Sequence, residues 1–230
     1  MKRTLGALIT VLVLILSFSS IAHAANATSN NSFTIRNGIR FGMSIDEVRA
    51  IEQKNGNGNG ELDYSTYTLV YKNLSVAGVP SSSIYYYFDL ETDELTDILY
   101  KLGGETVSSS TADSIHKELL PSLKKNYGTT QKEWSSGYFT RVGDTWMMAA
   151  FTSGGIYENK FLDRWYNFYD DFDVSIEFFG YSTKNNSSKY CCQIGYKPFE
   201  KGTIENYLNE KVNKEQQKEQ QKEQQRSSDL

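Results

Sequence analysis

Two histidines, two cysteines and several clustered carboxylates are the groups in this chain whose types could do chemistry. A nucleophilic triad needs a base, usually histidine. His23 lies in a signal-like N-terminal segment, which leaves His116, set between the apolar positions Ile115 and Leu119. A boundary histidine on a helix is the simpler reading. One histidine and one cysteine pair also fall short of a zinc site, which needs several ligands at local spacing. Cys191 and Cys192 are consecutive in a strand-like run, so their side chains are expected on opposite faces. That gives one core thiol and one boundary thiol, and leaves an intermolecular disulfide open to the outer one in an oxidising compartment.

Asp170, Asp171, Asp173 and Glu177 lie beside aromatic residues and are the groups a two-carboxylate hydrolase would use. No spacing fixes a catalytic pair among them. Asp89-x-Glu91-x-Asp93 starts like a calcium loop but has Glu94 in place of the turn glycine and Tyr100 in place of the bidentate glutamate. A charged hairpin turn explains it, with a looser calcium site at Asp170, Asp171 and Asp173 as the alternative. The expectation is therefore a chain with no catalytic residues, no metal ligands and no cofactor.

Aromatic residues are the more informative set: twelve Phe, sixteen Tyr and three Trp. Alternation along Ile84-Tyr85-Tyr86-Tyr87-Phe88 puts Tyr85 and Tyr87 on one face and Tyr86 and Phe88 on the other. The stretch from Gly154 to Asp171 reads as an insertion too long for a hairpin link, and such loops are often functional. It carries Tyr157, Phe161, Trp165, Tyr166, Phe168 and Tyr169, candidate binding residues because rigid aromatic area is enriched at recognition surfaces. Stacking of Trp165, Tyr166 and Tyr169 on sugar rings is a second binding reading. The plainer alternative is that the segment folds back and covers a sheet edge.

The elements that would position these groups follow from local pattern. Ser44 and Glu47 form a capping box, Met43 and Val48 have staple spacing, and Ile45, Val48 and Ile51 make an apolar stripe that ends at Asn55-Gly56. Strand-like runs follow at Tyr67–Val76, Ile84–Leu90 and Leu95–Leu102, broken at Val79-Pro80-Ser81 and Glu91-Thr92-Asp93. A second helix, capped by Ser110 or Thr111, carries Ile115, Leu119, Leu123 and Tyr127 and stops at Gly128, with Pro121 expected to kink or split it. Further strands are expected at Tyr138–Val142, Trp146–Phe151, Val174–Tyr181 and Tyr190–Tyr196. The order α-β-β-β-α-β-β-β-β predicts an α+β fold with helices on one face of antiparallel sheet, in two tandem rounds at about 41–103 and 110–198. Chain order leaves open whether the rounds share one sheet.

Lys2-Arg3, an apolar run from Leu5 to Leu16 and Ala22-x-Ala24 have the three parts of a signal peptide, so cleavage after Ala24 is expected. The run is shorter than the roughly 20 residues of a bilayer-spanning helix. A secreted or envelope location, without stable membrane insertion, follows. The net charge of −4 becomes more negative when Lys2 and Arg3 leave, which argues against nucleic acid and anionic lipid as partners. Residues 25–205 are expected to form one domain, and 206–230 a polar tail, solvated and partly helical or disordered, with its Lys-Glu-Gln-Gln repeats at Lys214, Lys218 and Lys222.

Gly42-Met43-Ser44-x-x-Glu47-Val48, a capped turn that opens a short helix before a meander, resembles the repeat of the β-lactamase-inhibitor-like fold. It is also similar to the small SmpA/OmlA-type components of outer-membrane assembly. The resemblance implies an exported, non-catalytic α/β module that works by binding protein, in the inhibitor form as two tandem repeats. The second round opens instead with Thr111-Ala-Asp-Ser-Ile115, and neither the paired cysteines of the inhibitor repeats nor a lipoprotein cysteine is present. No functional residue carries over. Two function classes stand after this reading: a protein-binding or envelope-assembly module, and a secreted carboxylate-dependent hydrolase, with the carbohydrate or cell-wall binder as a variant of the first.

Overall fold

Ser44 and Glu47 close their capping box and start helix α1, Ile45–Lys54. The Glu47 amide donates to Ser44 Oγ at 3.4 Å, and the Ser44 amide donates to Glu47 Oε2 at 2.9 Å. Such a cap contributes about 1 kcal/mol to the helix. These contacts belong to a computed structural model that describes residues 33–129, 157–183 and 188–228. The expected signal peptide, 1–24, and the expected strands Tyr138–Val142 and Trp146–Phe151 lie outside the described residues.

Four strands follow α1: β1, Glu61–Asp63; β2, Thr68–Val76; β3, Val79–Phe88; and β4, Leu95–Ser108. The short β1 was not foreseen. The break expected at Val79-Pro80-Ser81 falls instead at Ala77-Gly78, both at positive φ (48° and 85°). That is the backbone a two-residue hairpin requires. Pro80 sits in β3 beside a register irregularity, where a missing ladder N–H is tolerated. Helix α2, Ser109–Tyr127, is capped by Ser108 rather than Ser110 or Thr111, its hydroxyl accepting from the Thr111 amide at 3.1 Å. The helix runs unsplit through Pro121, which is exposed, so the carbonyl it leaves unbonded can be hydrated.

The second half brings the main correction. The expected loop Gly154–Asp171 contains β5, Tyr157–Phe168, a twelve-residue strand. It pairs with β6, Phe172–Thr183, which pairs with β7, Lys189–Glu200. One antiparallel sheet results, in the order β1-β2-β3-β4-β7-β6-β5. Its two halves meet where β4 lies against β7, for example Tyr100 opposite Ile194. Among the described elements, α1 precedes β1 to β4 and α2 precedes β5 to β7, and in each set the last strand lies innermost.

Register sorts the sheet's two faces. Leu69, Ile84, Tyr86, Ile98, Tyr100, Ile194, Tyr196, Ile176, Phe178 and Trp165 point to the face covered by α1 and α2 and share one core with Ile45, Val48, Ile115, Leu119 and Leu123. Phe161 lies over Gly180, where an added Cβ would sit 2.5 Å from the ring. The last helix, α3, Thr203–Ser228, packs its first turns on the opposite face, with Ile204, Tyr207 and Leu208 against Tyr166, Phe168 and Phe199. The tail expected from residue 206 is thus the continuation of an anchored helix. Among the described residues no helix is long and apolar enough to cross a membrane.

Candidate functional site

β5 disperses the six candidate binding residues. Tyr157 opens the strand. Trp165 is 1% exposed, and its indole N–H donates to the Gly128 carbonyl at 2.9 Å. Phe161 stacks on the His116 ring at 4.1 Å, while Tyr166 and Phe168 pack under α3. Charged groups complete the seam with α2. His116 Nε2 lies 2.6 Å from Asp163 Oδ2, and Lys160 bonds Ser109 Oγ at 2.7 Å and reaches Asp113 at 3.0 Å. The inner face of β5 is therefore a packed joint that fastens strand to helix, and Trp165 and Tyr166 are too buried to stack on a ligand. Tyr169, in the turn after β5, packs against Phe33 and Phe172, two residues that line a groove.

The carboxylates do not converge. Asp170 and Asp171 occupy the exposed β5–β6 turn, closed by the Tyr169 amide donating to Phe172 O at 2.9 Å. Asp173 is fully buried, and its Oδ2 accepts from the Gly202 and Ile204 amides at 3.0 and 3.3 Å, holding the start of α3. Glu177 pairs with buried Arg164 across β6 and β5. The Asp89 carboxylate accepts from the Glu91 and Thr92 amides at 2.8 and 2.9 Å, the bonding of a hairpin turn. Among the described residues no three His, Cys, Asp or Glu side chains come together as metal ligands. Both cysteines are free and on opposite faces. Burial pushes the Cys192 thiol up to about 12, and also raises that of half-buried Cys191.

A buried charge cluster escaped the sequence reading. Glu52, at 0% exposure, occupies an α1 position in register with Ile45 and Val48. Its Oε1 lies 3.2 Å from Arg36 Nε and accepts from the Tyr86 hydroxyl, while Oε2 accepts from Asn57 Nδ2. A turn with Asn37 and Gly38 at positive φ (50° and 92°) presents Arg36, closed by Ile39 N–H to Arg36 O at 2.8 Å. Burial first, then the Glu52 charge, pushes the nearby Tyr71 phenol up to about 12. The legible signal was a glutamate seven residues after Ile45, on the helix's apolar stripe.

A groove of about 300 Å³ is lined by Phe33, Arg40, Phe41, Gly42, Met43, Glu47 and Phe172. The capped turn builds one wall. Gly42 adopts φ +80°, its amide donates to Leu95 O at 3.0 Å, and the Leu95 amide donates to Met43 O at 2.8 Å. That clips the turn to the start of β4. The β5–β6 hairpin builds the other wall. Phe33 stacks with Phe41 (centroids 6.0 Å apart) and tilts against Tyr169 (5.2 Å); Phe172 meets Phe41 edge-on at 6.3 Å. Partial burial pushes the Tyr169 phenol up to about 12.

Through Tyr196, which Phe33 and Tyr100 both contact, this aromatic shell continues into the core. Both halves of the chain contribute to it. At the same end of the sheet, Tyr64 in the β1–β2 turn and Leu90 in the β3–β4 turn are 78% and 72% exposed. Tyr67 ties those turns together through its hydroxyl bond to Asp93 at 2.8 Å. Four apolar side chains, Phe33, Phe41, Met43 and Phe172, and two charged ones, Arg40 and Glu47, line the groove.

No protein-family model, curated protein or solved structure matches this chain.

Proposed function

We propose that the chain is an exported, non-catalytic binding module that holds a protein partner at the turn end of its sheet. The observation that carries this reading is the aromatic groove between the Phe41–Ser44 turn and the β5–β6 hairpin, with exposed Leu90 and Tyr64 beyond it. Amphipathic and aromatic area around a small cleft is the usual composition of an interface core. Export rests on the signal-like first 24 residues. The resemblance of Gly42-Met43-Ser44-x-x-Glu47-Val48 to exported partner-binding repeats points the same way, since Gly42, Met43 and Glu47 line the groove. Dispersal of Asp170, Asp171, Asp173 and Glu177 favours binding over the hydrolase reading.

The test compares the mature chain from Ala25 with a Phe41→Ala, Phe172→Ala variant as baits for envelope and culture-medium proteins. Any partner recovered is then titrated by calorimetry against both. At least a tenfold weaker affinity for a variant that keeps its native circular dichroism supports the groove. Equal affinity for the two baits rejects it.

A further inference from the structure

Resting on the binding reading above, we infer that the groove takes a cationic segment, one large apolar side chain flanked by lysine or arginine. The floor is apolar: Phe33, Phe41, Met43 and Phe172. At about 300 Å³ the space is at the small end of ligand sites, with room for one or two side chains. Its surroundings are acidic. Glu47 is in the lining, and exposed Asp170 and Asp171 precede Phe172 in the hairpin. Exposed Glu94 adjoins Leu95, which is bonded to the Met43 and Gly42 backbone.

Within the lining itself Arg40 faces Glu47, on which its charge acts, so the acidic excess comes from Asp170, Asp171 and Glu94 in the adjoining turns. The base nearest the hairpin, Lys201, is held against the Tyr169 carbonyl and Asp173. Leu90, exposed between Asp89 and Glu91, extends the pattern of an apolar group ringed by acids. A cationic segment gains Coulomb attraction at such a rim, an acidic one is repelled, and association depends on salt.

The test uses fluorescein-labelled peptides with phenylalanine between paired lysines, paired serines or paired glutamates, and a fourth with alanine between paired lysines. Anisotropy is read at 20 and 200 mM salt, with wild type, Phe172→Ala and the exposed-turn variant Asp170→Asn, Asp171→Asn. The expected order is Lys-flanked above Ser-flanked above Glu-flanked phenylalanine, at least tenfold from first to last. The alanine peptide should bind at least tenfold more weakly than its phenylalanine counterpart. Higher salt and the Asp170→Asn, Asp171→Asn change should each narrow the spread between flanks at least threefold. Equal binding of all three phenylalanine peptides, lost on Phe172→Ala, overturns the cationic inference and leaves the groove reading standing. If no phenylalanine peptide binds, or Phe172→Ala binds them as tightly as wild type, both fall.

Discussion

Removing the Glu52 carboxylate should be among the most damaging single changes in the first half of the chain. In Glu52→Ala, Arg36 loses the partner 3.2 Å from its Nε, and the Tyr86 hydroxyl and Asn57 Nδ2 lose their acceptors. Breaking a buried ion pair from one side costs about 3–5 kcal/mol, mostly because a charge is left without compensation. The Arg36 side chain is 20% exposed and can draw partly on water, which places the loss at the lower end, about 3 kcal/mol. For a domain of this size that lowers Tm by roughly 6–12 °C. Urea unfolding followed by circular dichroism gives the difference directly, provided the m value is unchanged. A double-mutant cycle with Arg36→Met isolates the pair, and the double variant should lose less than the sum of the singles. The reasoning would be falsified if Glu52→Ala lost under about 1 kcal/mol, or if the cycle closed additively.

Asp173→Ala should loosen the start of α3, because it deletes the acceptor for the Gly202 and Ile204 amides. Loss of a cap costs about 0.5–2 kcal/mol, and hydrogen exchange at 203–208 should rise more than at α2. Gly180→Ala should displace the Phe161 ring from its site over β6, at a cost of about 1–3 kcal/mol; unchanged stability would contradict the contact. At pH 8 the native protein should react far more slowly with a thiol reagent than the urea-unfolded chain, since burial pushes Cys192 up to about 12 and also raises Cys191.

Acid should act through Glu47, whose carboxyl the backbone and side-chain hydrogen bonds from Ser44 hold below its ordinary 4.5. A depressed folded-state value means stabilisation present above that ordinary value and lost as pH falls through the folded one. Glu47→Gln should therefore flatten the stability profile below about pH 5; an unaltered acid limb in urea titrations would discount the cap.

Local physics made part of this protein legible in its sequence. The Ser44–Glu47 capping box, the four-residue recurrence from Ile115 to Tyr127 and the alternation that puts Tyr86 and Phe88 on one face involve residues only a few positions apart, so the chain declares them without tertiary help. The antiparallel α+β class follows from them. Other features depend on partners distant in the chain. β5 looked like a loop because neither of its faces is uniformly apolar: Asp163 and Arg164 interrupt the pattern, and their side chains find partners in His116 and Glu177.

α2 covers one of those faces and α3 packs on the other, so the strand shows no simple inside-outside alternation. Likewise a buried Glu52 is stable only because a turn sixteen residues earlier delivers Arg36 and a neighbouring strand delivers Tyr86. The single sheet depends on β4 meeting β7, about ninety residues on, and the groove on Phe33, Phe41 and Phe172 arriving at one end of it. Sequence fixes what each short segment prefers. Which faces are covered, which charges are paired and which aromatics remain at a surface are decided by long-range packing, whose partners no local window contains.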